Sequence, residues 1–126
     1  TGYPWSEITE GPGKVFVDAY MAKYDDHPRI GSLVGYMTVQ SIAAVLEKAG
    51  STDSEAIRAA FADLPVSTPV GDITFRAQDH QATMGAYVGT IALKDGKGTL
   101  ENWVYKDGAD YTLSDEEVMK LRGSGN

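Results

Sequence analysis

The chain has 126 residues, 42% hydrophobic and 23% charged, with a formal net charge of -7 and no cysteine. Such a composition suits one globular unit with enough apolar material for a core, and it excludes a disulfide framework and thiolate chemistry. The acidic balance, without a basic face among the Lys and Arg positions, argues against phosphate backbones and anionic membrane surfaces, so nucleic acid is not an expected partner.

Residues 1–10 place Tyr3, Pro4 and Trp5 in a stretch with no helical period, and a proline disfavours the α region in the residue before it. An extended connector is expected there. The opening lacks a methionine and reads as an internal position of a longer chain. Gly11, Pro12 and Gly13 break the chain before Lys14 to Tyr24, an amphipathic helix with Val15, Phe16, Ala19 and Tyr20 opposed to Lys14 and Asp18. Asp25, Asp26 and His27 stand next to one another ahead of Pro28, a spacing that does not make side chains converge on a metal, so a solvated helix end is expected.

The stretch GSLVGYMTVQSIAAVLEKAG, residues 31–50, organises the rest. Ser32 is placed to cap a helix over 32–49 and Gly50 to end it in the left-handed conformation. Its polar residues Gln40, Ser41, Glu47 and Lys48 form one narrow stripe, which predicts burial on several sides. Thr52 and Glu55 have capping-box spacing for a further helix over 54–64 that Pro65 stops. From Val66 to Phe75 the period becomes two, with a turn over Thr68 to Asp72, and short strands are expected.

Asp79, His80 and Gln81 form a chemically loaded triplet, but adjacent residues rarely orient one another and no nucleophile is nominated nearby, so a structural turn is favoured. Ala86–Lys94 and Thr99–Tyr105 read as strands joined by Asp95-Gly96-Lys97-Gly98, since Asp-Gly supplies the positive φ angles of a hairpin turn. Gly96-x-Gly98 leads into a strand and is no dinucleotide fingerprint. Ser114 and Glu117 have capping-box spacing for a short helix to about Arg122, with a frayed end over 123–126.

The ordered blocks "GPGKVFVDAYMAKY", "GSLVGYMTVQSIAAVLEKAGSTDSEAIRAAF", "TPVGDITFRAQDHQATMGAYVG" and "LKDGKG" make the chain resemble the C-terminal third of the type I periplasmic solute-binding proteins of branched-chain amino acid ABC importers. The resemblance implies an α/β fold class: part of a two-lobed fold, with helices, short strands and a C-terminal β-hairpin. It implies a crossing between lobes over 1–13, part of the first lobe over 14–84, and a return to the second lobe over 85–126. It also implies a periplasmic, or extracellular and membrane-tethered, non-enzymatic component that captures a branched-chain amino acid or related aromatic acid in the inter-lobe cleft. No cofactor, metal or catalytic residue is expected. The implied partners are a small-molecule ligand, an ABC permease, and the remainder of the same protein or another copy of the chain. A ligand-sensing module of the same fold, acting on a protein partner, is the alternative.

Within the chain, the ligand-facing candidates are Ser32, Leu33, Val34 and Tyr36, because the corresponding family segment borders the cleft; Tyr3 and Trp5 near the crossing are secondary ones. The first turn of the long helix also offers free amides to a carboxylate. That helix carries more apolar surface than the other elements can cover, so the chain alone is expected to associate with something else.

Overall fold

A computed structural model describes residues 2–123. Its elements run α1 (Gly11–Tyr24), α2 (Ile30–Ala49), α3 (Ser54–Ala60), β1 (Leu64–Thr68), β2 (Gly71–Phe75), β3 (Ala86–Lys94), β4 (Lys97–Lys106), a 3-10 turn (Gly108–Tyr111) and α4 (Asp115–Arg122). The strands form two separate antiparallel pairs, β1 with β2 and β3 with β4. Helices plus short strands, ending in a hairpin and a short helix, is the architecture expected from the sequence.

Several boundaries move for identifiable reasons. Helix α1 starts at Gly11, because a proline at 12 lies in the first turn, where a missing N–H is not needed. Helix α2 starts at Ile30 with Arg29 as its N-cap, so Ser32 is not the cap. Ser32 instead sits in the first turn, and its hydroxyl accepts from the Arg29 amide at 3.3 Å. Gly50 ends α2 at φ 58, as expected, with its N–H on the Leu46 carbonyl.

Helix α3 is capped by Asp53, not Thr52: its carboxylate accepts from the Glu55 and Ala56 amides at 3.1 and 3.0 Å. The helix ends at Ala60, well before Pro65, which lies in β1. Two-residue periodicity prevails there, since Leu64, Val66 and Thr68 are buried while Pro65 and Ser67 are exposed. Pro65 is tolerated because β1 pairs only with β2 and leaves its other edge free of ladder bonds.

The β3–β4 turn is tighter than expected, with only Asp95 and Gly96 between the strands, at φ 52 and 74. Both angles are those of the turn that matches strand twist in a two-residue hairpin. A register shift between Val88 and Thr90 places Gly89 opposite Asn102 and Trp103, with Asn102 at φ 49. A Cβ on Gly89 would lie 2.7 Å from the Glu101 carbonyl oxygen and 2.9 Å from the Trp103 backbone, so only glycine permits this approach.

One core joins the elements: Phe16 and Val17 of α1, Leu33, Met37 and Val45 of α2, Leu64 and Val66 of β1, Ile73 of β2, and Tyr3, Tyr87 and Leu100. Helix α2 is long and apolar enough to cross a membrane by length and composition. In this fold it packs most closely on α3 and β1. The expected burial on several sides does not occur. Leu33, Met37, Ser41 and Val45 make one buried stripe, while Val34, Tyr36, Val39, Ile42 and Leu46 are exposed. Ser41 belongs to that buried stripe and satisfies its hydroxyl on the Met37 carbonyl at 2.9 Å, so polarity alone misassigned its face.

Candidate functional site

A groove of about 1040 Å³ runs between α1 and α2 and is closed at one end by the β1–β2 turn. Its width follows from the side chains. Phe16 meets Tyr36 with ring centroids 5.1 Å apart and Tyr20 at 6.0 Å, so bulky rings space the two helices. Tyr20 and Tyr24 continue the row at 4.6 Å. The walls are Val15, Phe16, Ala19, Tyr20 and Tyr24 from α1 and Ser32, Gly35, Tyr36, Val39 and Gln40 from α2.

Polar groups are few. The Ser32 hydroxyl donates to the Tyr20 phenol oxygen at 3.1 Å, which fixes both at the start of α2. Gln40 Oε1 is buried with no partner among the described residues. Lys23 and Asp72 bring opposite charges to the groove, and Lys23 Nζ lies 5.4 Å from the Tyr24 ring centroid. An apolar, aromatic trough with a few polar groups is suited to a small amphipathic molecule.

A second, smaller cavity of about 570 Å³ lies between the N-terminal segment, the α1–α2 connection and the β3–β4 turn. Tyr3, Trp5, His27, Arg29 and Lys97 are among its walls. The α1–α2 connection is not the solvated turn expected from its composition. His27 is buried, its ring sits 4.8 Å from that of Trp5, and its Nδ1 meets Asp26 Oδ1 at 2.8 Å. The His27 backbone N–H, then the Arg29 guanidinium, hold the Asp26 carboxyl down at about 2. Burial, reinforced by the neighbouring Tyr87, pushes the Tyr3 phenol well above its ordinary range, and burial pushes Tyr87 up to about 12.

The six sequence candidates therefore divide. Ser32 and Tyr36 line the groove, whereas Tyr3 and Trp5 line the second cavity. Leu33 is fully buried in the core, and Val34 is exposed outside both concavities. The α1 wall was missed, although Phe16, Tyr20 and Tyr24 recur every four residues and so mark one aromatic face. Asp79 accepts from the Gln81 amide at 3.1 Å and lies 3.6 Å from Arg76, while His80 is exposed at φ 60. The triplet is a turn, as read from the sequence. Among the described residues no cluster of His, Asp and Glu side chains is arranged to hold a metal ion.

Paired helices with an aromatic-walled groove, beside short antiparallel strands, make up part of a mixed α/β fold. Residues 1–97 match the family described as "Periplasmic binding protein", and the chain belongs to that family. Solved structures agree with the fold. An ABC-type branched-chain amino acid transporter protein from Rhodopseudomonas palustris CGA009 superimposes with a TM-score of 0.67 at 20% identity, over 82% of this chain and 29% of its own. A solute-binding protein of an ABC transporter from Rhodopseudomonas palustris BisB5, in complex with 3,4-dihydroxybenzoic acid, gives 0.66 at 20% identity, over 83% and 30%. An ABC transporter protein from Rhodopseudomonas palustris gives 0.56 at 25% identity, over 67% and 26%. This chain thus spans less than a third of the length of each. No curated protein matches it.

Proposed function

We propose that the chain is part of the solute-binding component of an ABC importer, capturing a small carboxylate-bearing ligand between two lobes in the periplasm. The observation that carries this reading is the groove between α1 and α2, with Ser32 and Tyr36 on its wall, in a member of the periplasmic binding protein family. Residues 1–13 serve as an inter-lobe crossing, 14–84 as part of the first lobe and 85–126 as the return to the second. The separation of the two strand pairs supports that division. The 3,4-dihydroxybenzoic acid bound by one structural neighbour, and the branched-chain amino acid transport of another, suggest the two ligand types to test.

In this reading no bond is made or broken. The tyrosine rings of α1 and α2 give an apolar bed for the ligand's body, and the first turn of α2 turns its free amides and positive dipole end toward a carboxylate. Closure of the lobes around the ligand creates the shape that a permease recognises, by shifting population toward a form the ligand binds better.

The test is calorimetric titration of this chain together with the remainder of both lobes, using leucine and 3,4-dihydroxybenzoate, followed by the same titrations of Tyr36→Ala. Binding of one of them, weakened roughly tenfold by loss of the ring, is expected, since a buried aromatic contact is worth about 0.5–1.5 kcal/mol beyond its area. Binding that Tyr36→Ala leaves unchanged would place the ligand elsewhere, and no heat with either compound would remove both proposed ligand types.

A further inference from the structure

Three side-chain contacts join the N-terminal segment to the β3–β4 turn. The Trp5 indole N–H donates to the Gly98 carbonyl at 2.9 Å, the Ser6 and Thr99 hydroxyls meet at 2.9 Å, and Lys94 Nζ donates to Glu7 Oε1 at 3.0 Å. Residues 5, 6 and 7 thus face 98, 99 and 94 as a short polar zipper between segments far apart in sequence. Thr99 is buried, so its hydroxyl contact is the shielded one, whereas the lysine–glutamate pair is exposed and contributes little by itself.

Trp5 does more than close this zipper. Its ring lies 4.8 Å from that of buried His27, whose Nδ1 is held by Asp26, and Asp26 in turn accepts from Arg29, the N-cap residue of α2. The backbone of the segment itself is folded back, with the Glu7 amide on the Pro4 carbonyl at 2.9 Å. A single residue therefore touches the N-terminal segment, the β3–β4 turn and the connection that sets where α2 begins. Contacts that share one frame support one another: once the ends are held by two of them, the third forms with little further loss of chain freedom.

We infer that residues 3–8 and 94–99 open and close as one body, with Trp5 as the positioning residue that couples them to the start of α2. In a two-lobed binding protein this couples a crossing between lobes to the returning hairpin, so the two bend together when the cleft closes. That role rests on the solute-binding reading; the coupling itself does not.

Hydrogen exchange read by mass spectrometry on the full chain tests it. Trp5→Phe keeps an aromatic ring beside His27 while removing the N–H donor along with part of the indole, and Ser6→Ala removes the second contact without changing packing at Trp5. Each is expected to speed exchange roughly 2- to 10-fold in both segments, 2–8 and 94–101, while α3 is unaffected, because a net hydrogen bond shifts a local opening equilibrium by about that factor. The double variant is expected to fall short of the product of the two single effects. A rise confined to one segment, or a double effect equal to the product, would overturn the inference. If Trp5→Phe fails to fold, Ser6→Ala decides by the same criterion of paired or unpaired response. Titration with leucine and 3,4-dihydroxybenzoate in the presence of the remainder of both lobes separates failure of the solute-binding reading, seen as absent binding, from failure of the coupling, seen only in exchange.

Discussion

The two long faces of α2 have nearly the same chemistry and opposite fates. Leu33, Met37 and Val45 are covered by the chain's own elements, while Val34, Val39, Ile42 and Leu46, on the same helix, face outward. Leu33 and Val34 are neighbours, yet one is fully buried and the other 41% exposed. Hydrophobicity does not distinguish them. Position does: the covered stripe recurs every four residues on the side where α3 and β1 pack. Apolar surface thus marks what a helix can bury, and the tertiary neighbours decide which part of it is buried.

Unequal mutational responses are the sharpest way to break this contrast. Leu33→Ala is expected to cost about 2–5 kcal/mol, the range for emptying a well-packed site, whereas Val34→Ala stays within about 0.5 kcal/mol. Urea unfolding of the two variants measures both, and equal midpoints would mean that the faces do not differ as described. Next in size is Asp53→Ala, which removes the cap of the helix that covers α2. It is expected to cost about 1 kcal/mol and to lower the melting temperature without changing the urea slope.

The open face responds in association, not in stability. Ile42→Ser together with Leu46→Ser is expected to leave unfolding nearly unchanged and to reduce the apparent mass seen by light scattering, because these exposed side chains are the apolar surface available to a partner or another copy. An unchanged mass would show that the face is not sticky. The smallest effect concerns the connection that places both faces. Asp26 has a depressed folded-state pKa, so its contribution is present above its ordinary value of 3.8 and is lost as pH falls through about 2. Asp26→Asn should therefore lower stability slightly near neutrality, where the carboxylate contributes, and flatten the acid limb between about pH 4 and 2 so that the two proteins converge there, as measured by thermal melts across the range.

Much of the fold was legible because local signals and tertiary structure agreed. The Ser114–Glu117 capping box, in which Ser114 N–H donates to Glu117 Oε2 at 2.9 Å, and the Gly50 terminus formed as read, and the Asp-Gly hairpin formed with a tighter turn. The part of the frayed end placed at 124–126 lies outside the described residues. Where the reading failed, a competing demand prevailed. Pro65 is a strong helix stop, but pairing of Leu64 and Val66 with Phe75 and Ile73 pulled it into a strand. The groove was half legible: the start of α2 was marked through a family resemblance, but its opposite wall on α1 looked like an ordinary core face, since aromatic periodicity reads alike in both settings. Leu33 could not be separated from Ser32 and Tyr36 by sequence because all three occupy one turn and a half, and only packing reveals which of them points inward.

Helix α4 is held to the body by one apolar contact and a few guanidinium groups. Val118 is its one buried side chain among the described residues, and its polar anchors are guanidinium groups: Arg76 reaches the Leu113 carbonyl at 2.9 Å and Asp115 at 3.0 Å, and Arg122 reaches the Gln78 carbonyl at 2.7 Å. Attraction between charges fades with ionic strength, over a screening length of about 10 Å at 0.1 M salt and about 3 Å at 1 M, whereas apolar packing does not weaken in this way. Of these anchors, Arg76 to Asp115 pairs opposite charges, so it is the part of the C-terminal attachment that added salt screens, while Val118 and the two carbonyl contacts hold independently of it.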